Sequence, residues 1–568
     1  MNKQDIIQAC VVFIFISIAV FVTLNQTEPP NALPVSAPTT EFSAERSIEH
    51  IKIIAQGIRI PGTPEYAIPR DYVMGELTAM GLNSEIQRTT CSMPEDFQAY
   101  LGWTNVPTVE VENIISRIEG TSTQEAILLV AHLDTTPYGP GATDDGSGVA
   151  VLLETARALL SGSPLRNSII LLFTGPEETG SFGAVAFIKE HPWIEDVKLV
   201  INVDAGGLTG PSELTSTSPD NGWLIHELAR ADSYVYGSSS SGEGASDFVP
   251  FKYYGFSGYA FDFSWDRRIH TPYDNVENLN PSSIQHQGHH TLSLTKHFGN
   301  LESLEDPKDP SPIFFNVLRL GFVNYSTVWV IPITLVVVLI FVGVVALGFR
   351  RNILTRSGIG LGVLTFLVSL ISAPLIVSIL WIVLSSTVSA YQVNYLGHAP
   401  NEQLLLALFF SVALALSNTL YVLIQRFRQV SVPDLTIGAY AILTVATVVF
   451  SVVMPESSFA SAWPGFFSFL AVGYWFYSLS DDIESVSIEQ LVVLILGALI
   501  PIALILQVSI ASFMSSEAND WFLPIGFFVM LLGLLVPQMQ IISRPNKWWL
   551  PVSTWVVTAL LLVTVLIV

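Results

Sequence analysis

The sequence predicts an α/β domain with a mostly parallel central sheet flanked by helices, followed by an all-α, multi-span transmembrane domain. Three short apolar runs, at residues 127–131, 169–173 and 197–203, predict the sheet, because each reads as a buried strand that ends in polar residues. From Val328 onward the chain is a series of apolar segments, and about 18 such residues indicate a membrane span. Only 13% of residues are charged, against about 25% in soluble domains.

The chain divides by composition into successive parts. Residues 1–24 hold one apolar segment, which we interpret as an N-terminal transmembrane signal anchor. A cleaved signal peptide is the alternative, but the segment is long for one and residues 23–27 offer a poor small-residue cleavage site. Residues 25–44, rich in Pro and Thr, are predicted to be a linker. The α/β domain is predicted over residues 45–305, and a transmembrane domain of about eight helices over residues 306–568.

The tail is predicted to contain about eight spans, or about nine with the N-terminal segment. They lie near residues 328–349, 358–383, 403–424, 435–454, 460–479, 490–512, 521–542 and 549–568. The pair 435–454 and 460–479 is the weakest, because Pro455 and Pro464 interrupt it and Ser and Ala dilute it.

Basic residues in short loops predict the orientation, because Lys and Arg mark the cytosolic side of a membrane. They occur at residues 350–356, 426–428 and 544–547, and Lys3 precedes the first span. All of these lie on one side when about nine spans are assumed. The acidic loop 481–489 falls on that side too, although acidic residues count little in this rule. We therefore predict that the α/β domain lies on the non-cytosolic face, in the periplasm, the extracellular space or an organelle lumen.

Further elements of the α/β domain follow from apolar periodicity and from capping residues such as Gly81. Strands are predicted over residues 84–89 and 111–118, beside the three apolar runs. Helices are predicted over residues 48–55, 67–80, 149–160, 183–191, 222–231 and 281–301.

Charge and cysteine content exclude two classes of protein. The net charge is −23, with 48 acidic and 25 basic residues, and this balance is opposite to that of a nucleic-acid-binding protein. Cys10 lies in the first apolar segment and Cys91 in the α/β domain. A disulfide framework is therefore excluded, and the domain must rely on its core and on any bound metal.

Acidic and imidazole side chains recur where the apolar runs end. They are His132, Asp134, Asp144, Asp145, Glu177, Glu178, Asp204 and, in the later segment I-H-T-P-Y-D, His270. Any one of these short motifs alone is typical of solvated surface charge. Their common position is informative, because the carboxyl ends of parallel strands are where open α/β sheets bind ligands. Zinc takes imidazole nitrogen and carboxylate oxygen, so the pattern favours a metal site over scattered charge.

These motifs resemble peptidase family M28, the di-zinc aminopeptidase-like enzymes, over roughly residues 45–300. The resemblance implies a zinc aminopeptidase-like fold and two Zn2+ ions per chain as cofactors. It implies that the metal ligands are His132, Asp144, Glu178, Asp204 and His270, with Asp144 as the bridging carboxylate. Because no ligand position is missing, the chain differs from non-enzymatic relatives of the family. Its many spans are similar to those of the vacuolar and endoplasmic-reticulum members.

The same resemblance assigns catalytic roles to two further acids. Glu177 is implied as the general base, and Asp134 as the acid that orients His132 through its second ring nitrogen. The role of Asp134 is also expected on general grounds, because a histidine that binds a metal commonly donates its other ring N–H to a carboxylate. Asp145 fits the acid-rich turn of the family.

Two loops are expected to shape the substrate pocket. Residues 246–251 resemble a family segment beside the site, which makes Asp247 and Phe248 candidates, although many members have His at the second position. Arg268 is a candidate for binding a substrate carboxylate or carbonyl, with a surface ion pair to Asp266 as the alternative. Some members have Tyr where this chain has Ile269, so the donor to the developing oxyanion must come from elsewhere. The candidates for this donor are Tyr259 and Tyr273.

The resemblance implies a membrane-bound metallopeptidase and favours an aminopeptidase, with peptide substrates and the lipid bilayer as partners. One alternative is an M28-type carboxypeptidase or dipeptidase, or a glutaminyl cyclase, which has a similar fold but uses one zinc. Another is a membrane scaffold or transport protein with a recognition domain. The full ligand set argues against the cyclase, and the low number of charges within the spans argues against transport.

Overall fold

The computed structural model describes residues 3–122, 125–231, 234–240, 246–391, 399, 401–479 and 486–567. Residues 241–245 of the serine- and glycine-rich loop before Asp247, and residues 481–485 of the acidic loop, lie outside this set. The chain forms two compact units. The sheet unit is Glu28–Asn324, and the helical unit combines Met1–Thr27 with Tyr325–Val568.

A seven-stranded mixed sheet organises the sheet unit, in the order β1-β2-β4-β3-β5-β7-β6. Its strands are β1 (Ser84–Cys91), β2 (Val109–Ile118), β3 (Ala126–His132), β4 (Ser168–Thr174), β5 (Val197–Val203), β6 (Glu213–Thr217) and β7 (Ser257–Asp262). The four central strands, β4, β3, β5 and β7, are parallel, whereas β1, β2 and β6 run antiparallel to their neighbours. Every residue of β3 and β4 is buried, as expected for strands covered on both faces.

Helices cover both faces of this sheet. The helices of the sheet unit are Ala44–Ile54, Pro64–Ala79, Glu95–Tyr100, Gly146–Leu160, Phe182–Glu190, Gly222–Arg230, Phe248–Tyr253 and Pro281–Gly299. Gly146–Leu160 and Pro281–Gly299 pack into one apolar cluster, and Phe182–Glu190 and Phe248–Tyr253 into a second. A hairpin of β8 (Pro312–Val317) and β9 (Gly321–Ser326) follows. The predicted sheet, mostly parallel at its centre and flanked by helices, is confirmed, and antiparallel strands at both ends make it mixed.

The limits of the sheet unit differ from those predicted. From Glu28 onward the predicted linker belongs to this unit. Its backbone is bonded to buried side chains: Leu33 N–H donates to Gln285 Oε1 (2.9 Å), and Ser43 N–H donates to Glu154 Oε1 (3.1 Å). At the other end, the unit continues past residue 305 to Asn324. The segment 28–44 is therefore packed chain and does not act as a free spacer.

The helical unit consists of long apolar helices. In the described part of the chain, 7 helices are long and apolar enough to cross a membrane, or 8 if one bent pair counts as a single span. They are Lys3–Thr27, Thr327–Arg350, Arg356–Thr387, Glu402–Arg428, Val432–Val453, Ile488–Ser515 and Trp549–Ile567, and the bent pair is Ala518–Leu534 with Val536–Ser543, at 66°. The predicted segment 460–479 is also helical, as Phe459–Ser478, but falls outside this group. These helices indicate an integral membrane protein, and the count of nine spans stays a prediction.

Candidate metal centre

The carboxyl ends of three neighbouring parallel strands supply the first part of the site. His132 is the last residue of β3, Glu177 and Glu178 follow β4, and Asp204 directly follows β5. Because β4, β3 and β5 are adjacent, these side chains meet at one edge of the sheet. The structure thus brings together the residues that the apolar runs predicted.

Asp144 lies between two imidazoles. Its Oδ1 is 3.0 Å from His132 Nε2, and its Oδ2 is 2.8 Å from His270 Nε2. Asp144 precedes the helix Gly146–Leu160, whereas His270 lies on the loop after β7. A carboxylate whose two oxygens face different histidines has the arrangement of a bridging ligand.

One further carboxylate lies beside each of the two histidines. His132 Nε2 lies 3.5 Å from Asp204 Oδ1, and His270 Nε2 lies 3.1 Å from Glu178 Oε2. We call His132, Asp204 and Asp144 Oδ1 the strand-borne half, and His270, Glu178 and Asp144 Oδ2 the loop-borne half. Each half offers one imidazole and two carboxylate oxygens, a set that suits a metal ion.

Asp145 also lies close to His132 and Asp204. Its carboxylate is already bonded to the backbone, because Oδ2 accepts from His132 N–H (3.0 Å) and Oδ1 accepts from Gly148 N–H (2.8 Å). The second bond caps the helix Gly146–Leu160. Asp145 therefore holds local structure, and Asp144 faces both histidines.

The electrostatics of the cluster favour a bound cation. Burial opposes charge on His132, yet the carboxylates of Asp134, Asp144 and Asp204 raise its pKa well above the ordinary value. Burial also opposes charge on His270, but Asp144 and Glu178 raise its pKa to about 10. In both cases the surrounding carboxylates stabilise the protonated, positively charged form of the imidazole. Metal ions at this position supply that charge and leave the imidazoles neutral, as ligation requires.

Glu177 lies beside the strand-borne half. Its Oε2 is 4.0 Å from His132 Nε2, and its Oε1 accepts from Ser181 Oγ (3.2 Å). Burial raises the pKa of Glu177 well above its ordinary value, and the charges of Asp247 and Asp204 add to this effect. A carboxyl group with a raised pKa next to the cluster has the properties of a proton carrier.

Asp134 contacts the His132 ring and the backbone of Glu177 and Glu178. Its carboxylate accepts from Glu177 N–H (2.9 Å) and from Glu178 N–H (3.2 Å). Its Oδ1 also lies 3.5 Å from His132 Nδ1, while its backbone carbonyl lies 3.2 Å from the same nitrogen. One buried side chain thus links the turn after β4 to the imidazole at the end of β3.

Two residues that sequence reasoning missed hold the loop before Asp144. Asp274 accepts from Thr143 N–H (2.6 Å), Thr143 Oγ1 (2.5 Å) and Asp144 N–H (3.1 Å). Arg59 is fully buried, and its guanidinium donates to the carbonyls of Leu133, Pro140 and Gly141. The segment I-H-T-P-Y-D contains Asp274, so its closeness to His270 was the available signal. Arg59 offered no such signal, because residues 59–64, R-I-P-G-T-P, have the composition of a turn.

The predicted pocket residues have mixed outcomes. Tyr259 is fully buried and donates from its hydroxyl to Leu224 carbonyl (2.7 Å), so its assignment to the pocket is wrong. Phe248 is buried in an apolar cluster with residues of the central strands, and its role in substrate binding stays a prediction. Asp247 is buried, accepts from Thr174 Oγ1 and lies near Glu177. Burial raises the pKa of Asp247 to about 7.

Arg268 pairs with Asp266, which was the alternative to substrate binding. Its Nε and Nη2 each donate to Asp266 at 2.6 Å. The guanidinium also lies over the Tyr273 ring, 4.9 Å from its centre. Its strongest bonds are therefore made within the loop that carries His270.

Comparisons with known proteins identify a peptidase family and membrane-bound relatives. Residues 113–295 match Peptidase family M28. Endoplasmic reticulum metallopeptidase 1 of Mus musculus is 27% identical over 70% of this chain and 47% of its own length. The vacuolar membrane protease of Candida glabrata is 30% identical over 41% of this chain and 25% of its own length. The chain thus spans about half or less of the length of these relatives.

Solved structures that match part of this chain include an aminopeptidase from Aneurinibacillus sp. strain AM-1. It is 16% identical, with a TM-score of 0.40, and covers 48% of this chain and 98% of its own. Porphyromonas gingivalis glutaminyl cyclase is 22% identical, with a TM-score of 0.36, and covers 44% of this chain and 97% of its own. On the sequence match and the relatives together, the chain carries a peptidase family M28 domain at residues 113–295 of its sheet unit.

Proposed function

We propose that the sheet unit is a di-zinc aminopeptidase, which removes residues from the free amino termini of peptides. The observation that carries this proposal is Asp144, whose two oxygens face His132 and His270 separately. The metallopeptidase relatives support the reaction class.

The donor set fits zinc. Catalytic zinc sites use three protein ligands from His, Asp and Glu and keep one position open. Each half of this centre offers such a set, with Asp144 shared between them. Zinc bound by these residues would supply Lewis acidity and would lower the pKa of a bound water to about 7.

The chain's own residues then move the protons. Glu177 removes a proton from the attacking water and returns it to the leaving amine, since its carboxylate lies 4.0 Å from His132 Nε2 and belongs to neither half of the centre. Asp134 holds the backbone of Glu177, and Ser181 holds one of its oxygens. These contacts orient the carboxylate for transfer in both directions.

The charge around the site favours an amino-terminal substrate. An α-ammonium group is attracted by the acidic cluster, whereas a substrate carboxylate needs a basic partner such as Arg268. Arg268 donates two hydrogen bonds to Asp266 instead. Aminopeptidase activity is therefore favoured over carboxypeptidase or dipeptidase activity.

The test uses the full-length chain purified in detergent. Metal analysis is expected to give two zinc ions per chain, and a peptide with a free amino terminus is expected to be cut while its N-acetylated twin resists. Equal cleavage of both peptides would contradict the aminopeptidase proposal and would indicate an endopeptidase or a carboxypeptidase. A single ion per chain in fully active protein would overturn the di-zinc assignment.

We propose further that the sheet unit lies on the non-cytosolic side of the membrane. The support is the set of basic residues in loops of the helical unit, at 350–356, 426–428 and 544–547, together with Lys3. A reporter inserted near Thr40 is expected to behave as exported, and one near Arg351 as cytosolic. The reverse pattern would overturn this orientation and the compartment with it.

A further inference from the structure

The connection between β1 and β2, residues 92–108, lies at the carboxyl end of the parallel strands, where the metal centre also lies. β2 runs antiparallel to β4, and Ile114 pairs with Phe173 near the end of β4. The start of β2, where Val109 pairs with Cys91, therefore lies beyond the carboxyl end of β4. Glu177 and Glu178 occupy that same end, so the connection is their neighbour.

Trp103 makes the contact between this connection and the glutamate turn. A Cβ atom added at Gly180 would lie 2.7 Å from the Trp103 ring and 3.4 Å from the Met93 methyl group. Gly180 N–H donates to Glu177 carbonyl (2.6 Å) and so closes the turn that carries Glu177. The indole thus rests directly on this turn, yet Trp103 keeps 42% of its surface exposed.

The connection is anchored behind Trp103 by aromatic packing. The ring of the buried Phe97 is 4.9 Å from that of Tyr253 and 6.1 Å from that of Tyr100, measured between centroids. The Tyr253 hydroxyl donates to Asp96 (2.9 Å). These contacts join the short helix Glu95–Tyr100 to the helix Phe248–Tyr253. The segment that precedes Trp103 is therefore held in place by packing.

We propose that Trp103 binds the side chain of the residue that follows the scissile bond, and that the enzyme prefers peptides with an aromatic or large apolar second residue. Glu177 returns its proton to the leaving amine, so the leaving residue must lie on the Glu177 side of the centre. Trp103 covers the turn on that side with an exposed apolar face. This inference rests on the proposed aminopeptidase function.

The test compares Leu-Phe-amide with Leu-Gly-amide as substrates of the full-length protein. In Trp103→Ala, the ratio of kcat/KM for Leu-Phe-amide to that for Leu-Gly-amide is expected to fall about 3- to 10-fold, the usual size of an aromatic contact, mainly through KM. Trp103→Phe is expected to recover most of the ratio. Tyr100→Ala is the matched control, because Tyr100 is an exposed aromatic of the same connection that stacks on Phe97.

The outcomes separate this inference from the function on which it rests. If Trp103→Ala lowers kcat equally for both substrates, Trp103 only supports the glutamate turn, and the inference is overturned. An unchanged ratio, or an equal fall in Tyr100→Ala, overturns it as well. If the unmodified protein cuts neither peptide, the aminopeptidase proposal itself fails before any variant is compared.

Discussion

The two halves of the candidate metal centre are built by different means. In the strand-borne half, His132 belongs to β3 and its side chain is only 3% exposed. In the loop-borne half, the His270 side chain is 22% exposed, and the backbone at His270 adopts a left-handed φ of 54°. The sheet core fixes the first imidazole, whereas side-chain bonds within surface loops fix the second. We therefore expect the loop-borne half to release its metal first.

The largest effect is expected where the two halves meet. Asp144→Ala removes one carboxylate oxygen from each half, so both ions should be lost and kcat should fall by at least about 10³-fold, given the several kcal/mol that metal ions supply. Metal analysis and turnover measure this. Asp145→Asn is the matched control, since its side chain caps a helix. Metal loss in the control together with retention in Asp144→Ala would exchange their roles.

Glu177→Gln tests whether proton transfer is separable from metal binding. The variant should keep both ions, because Glu177 lies outside both ligand sets, and turnover should fall by about 10² to 10⁴, the range of general acid–base catalysis. Metal content and kcat are measured on the same sample. Loss of metal, or near-normal turnover, would contradict the assignment of Glu177 as the base.

Asp274→Asn is expected to weaken metal binding through Asp144, the carboxylate that the two halves share. The amide offers one acceptor oxygen to the three donors on Thr143 and Asp144, so Asp144 loses part of its support. Support residues of this kind usually contribute about 10- to 100-fold to metal affinity. Titration with a chelator should show both ions released at lower chelator concentrations than from the unmodified protein, with the ion of the loop-borne half released first. Simultaneous release of both ions would contradict the division into halves.

The smallest effect is expected for Arg268→Ala. Its ion pair with Asp266 is partly exposed, and such pairs contribute about 1 kcal/mol or less to stability. Thermal unfolding should change little, and cleavage of peptides with a free amino terminus should persist. Selective loss of activity on substrates with a free carboxyl terminus would favour the carboxypeptidase or dipeptidase alternative.

The strand-borne half was the more predictable from sequence. His132 and Asp204 sit at the ends of apolar runs, and adjacency of parallel strands brings such positions together. In the loop-borne half, Glu178 also follows an apolar run, whereas the position of His270 depended on family resemblance because no periodic pattern places it. Roles of surrounding side chains were less accessible. Tyr259 was misassigned because the sequence does not say which face of β7 it occupies.

The residues that support the loops were hardly predictable from sequence, and the closeness of Asp274 to His270 was the one available signal. Asp274 acts through bonds to the backbone of residues 143 and 144, which lie 131 and 130 positions away in the sequence. Arg59 binds three carbonyls, and carbonyl acceptors leave no trace in residue type. Such long-range side-chain-to-backbone bonds become visible only once the chain is folded.

The position of residues 92–108 has a consequence for how the protein diversifies. The connection leaves and re-enters the sheet through β1 and β2, which pair along the whole of β1, from Ser84 to Cys91. Because its ends are already held together, doubling its length costs only about 0.6 kcal/mol of closure entropy. None of the proposed metal ligands lies in it. Exchange of this segment is therefore expected to change the proposed peptide preference while it leaves the proposed metal ligands in place.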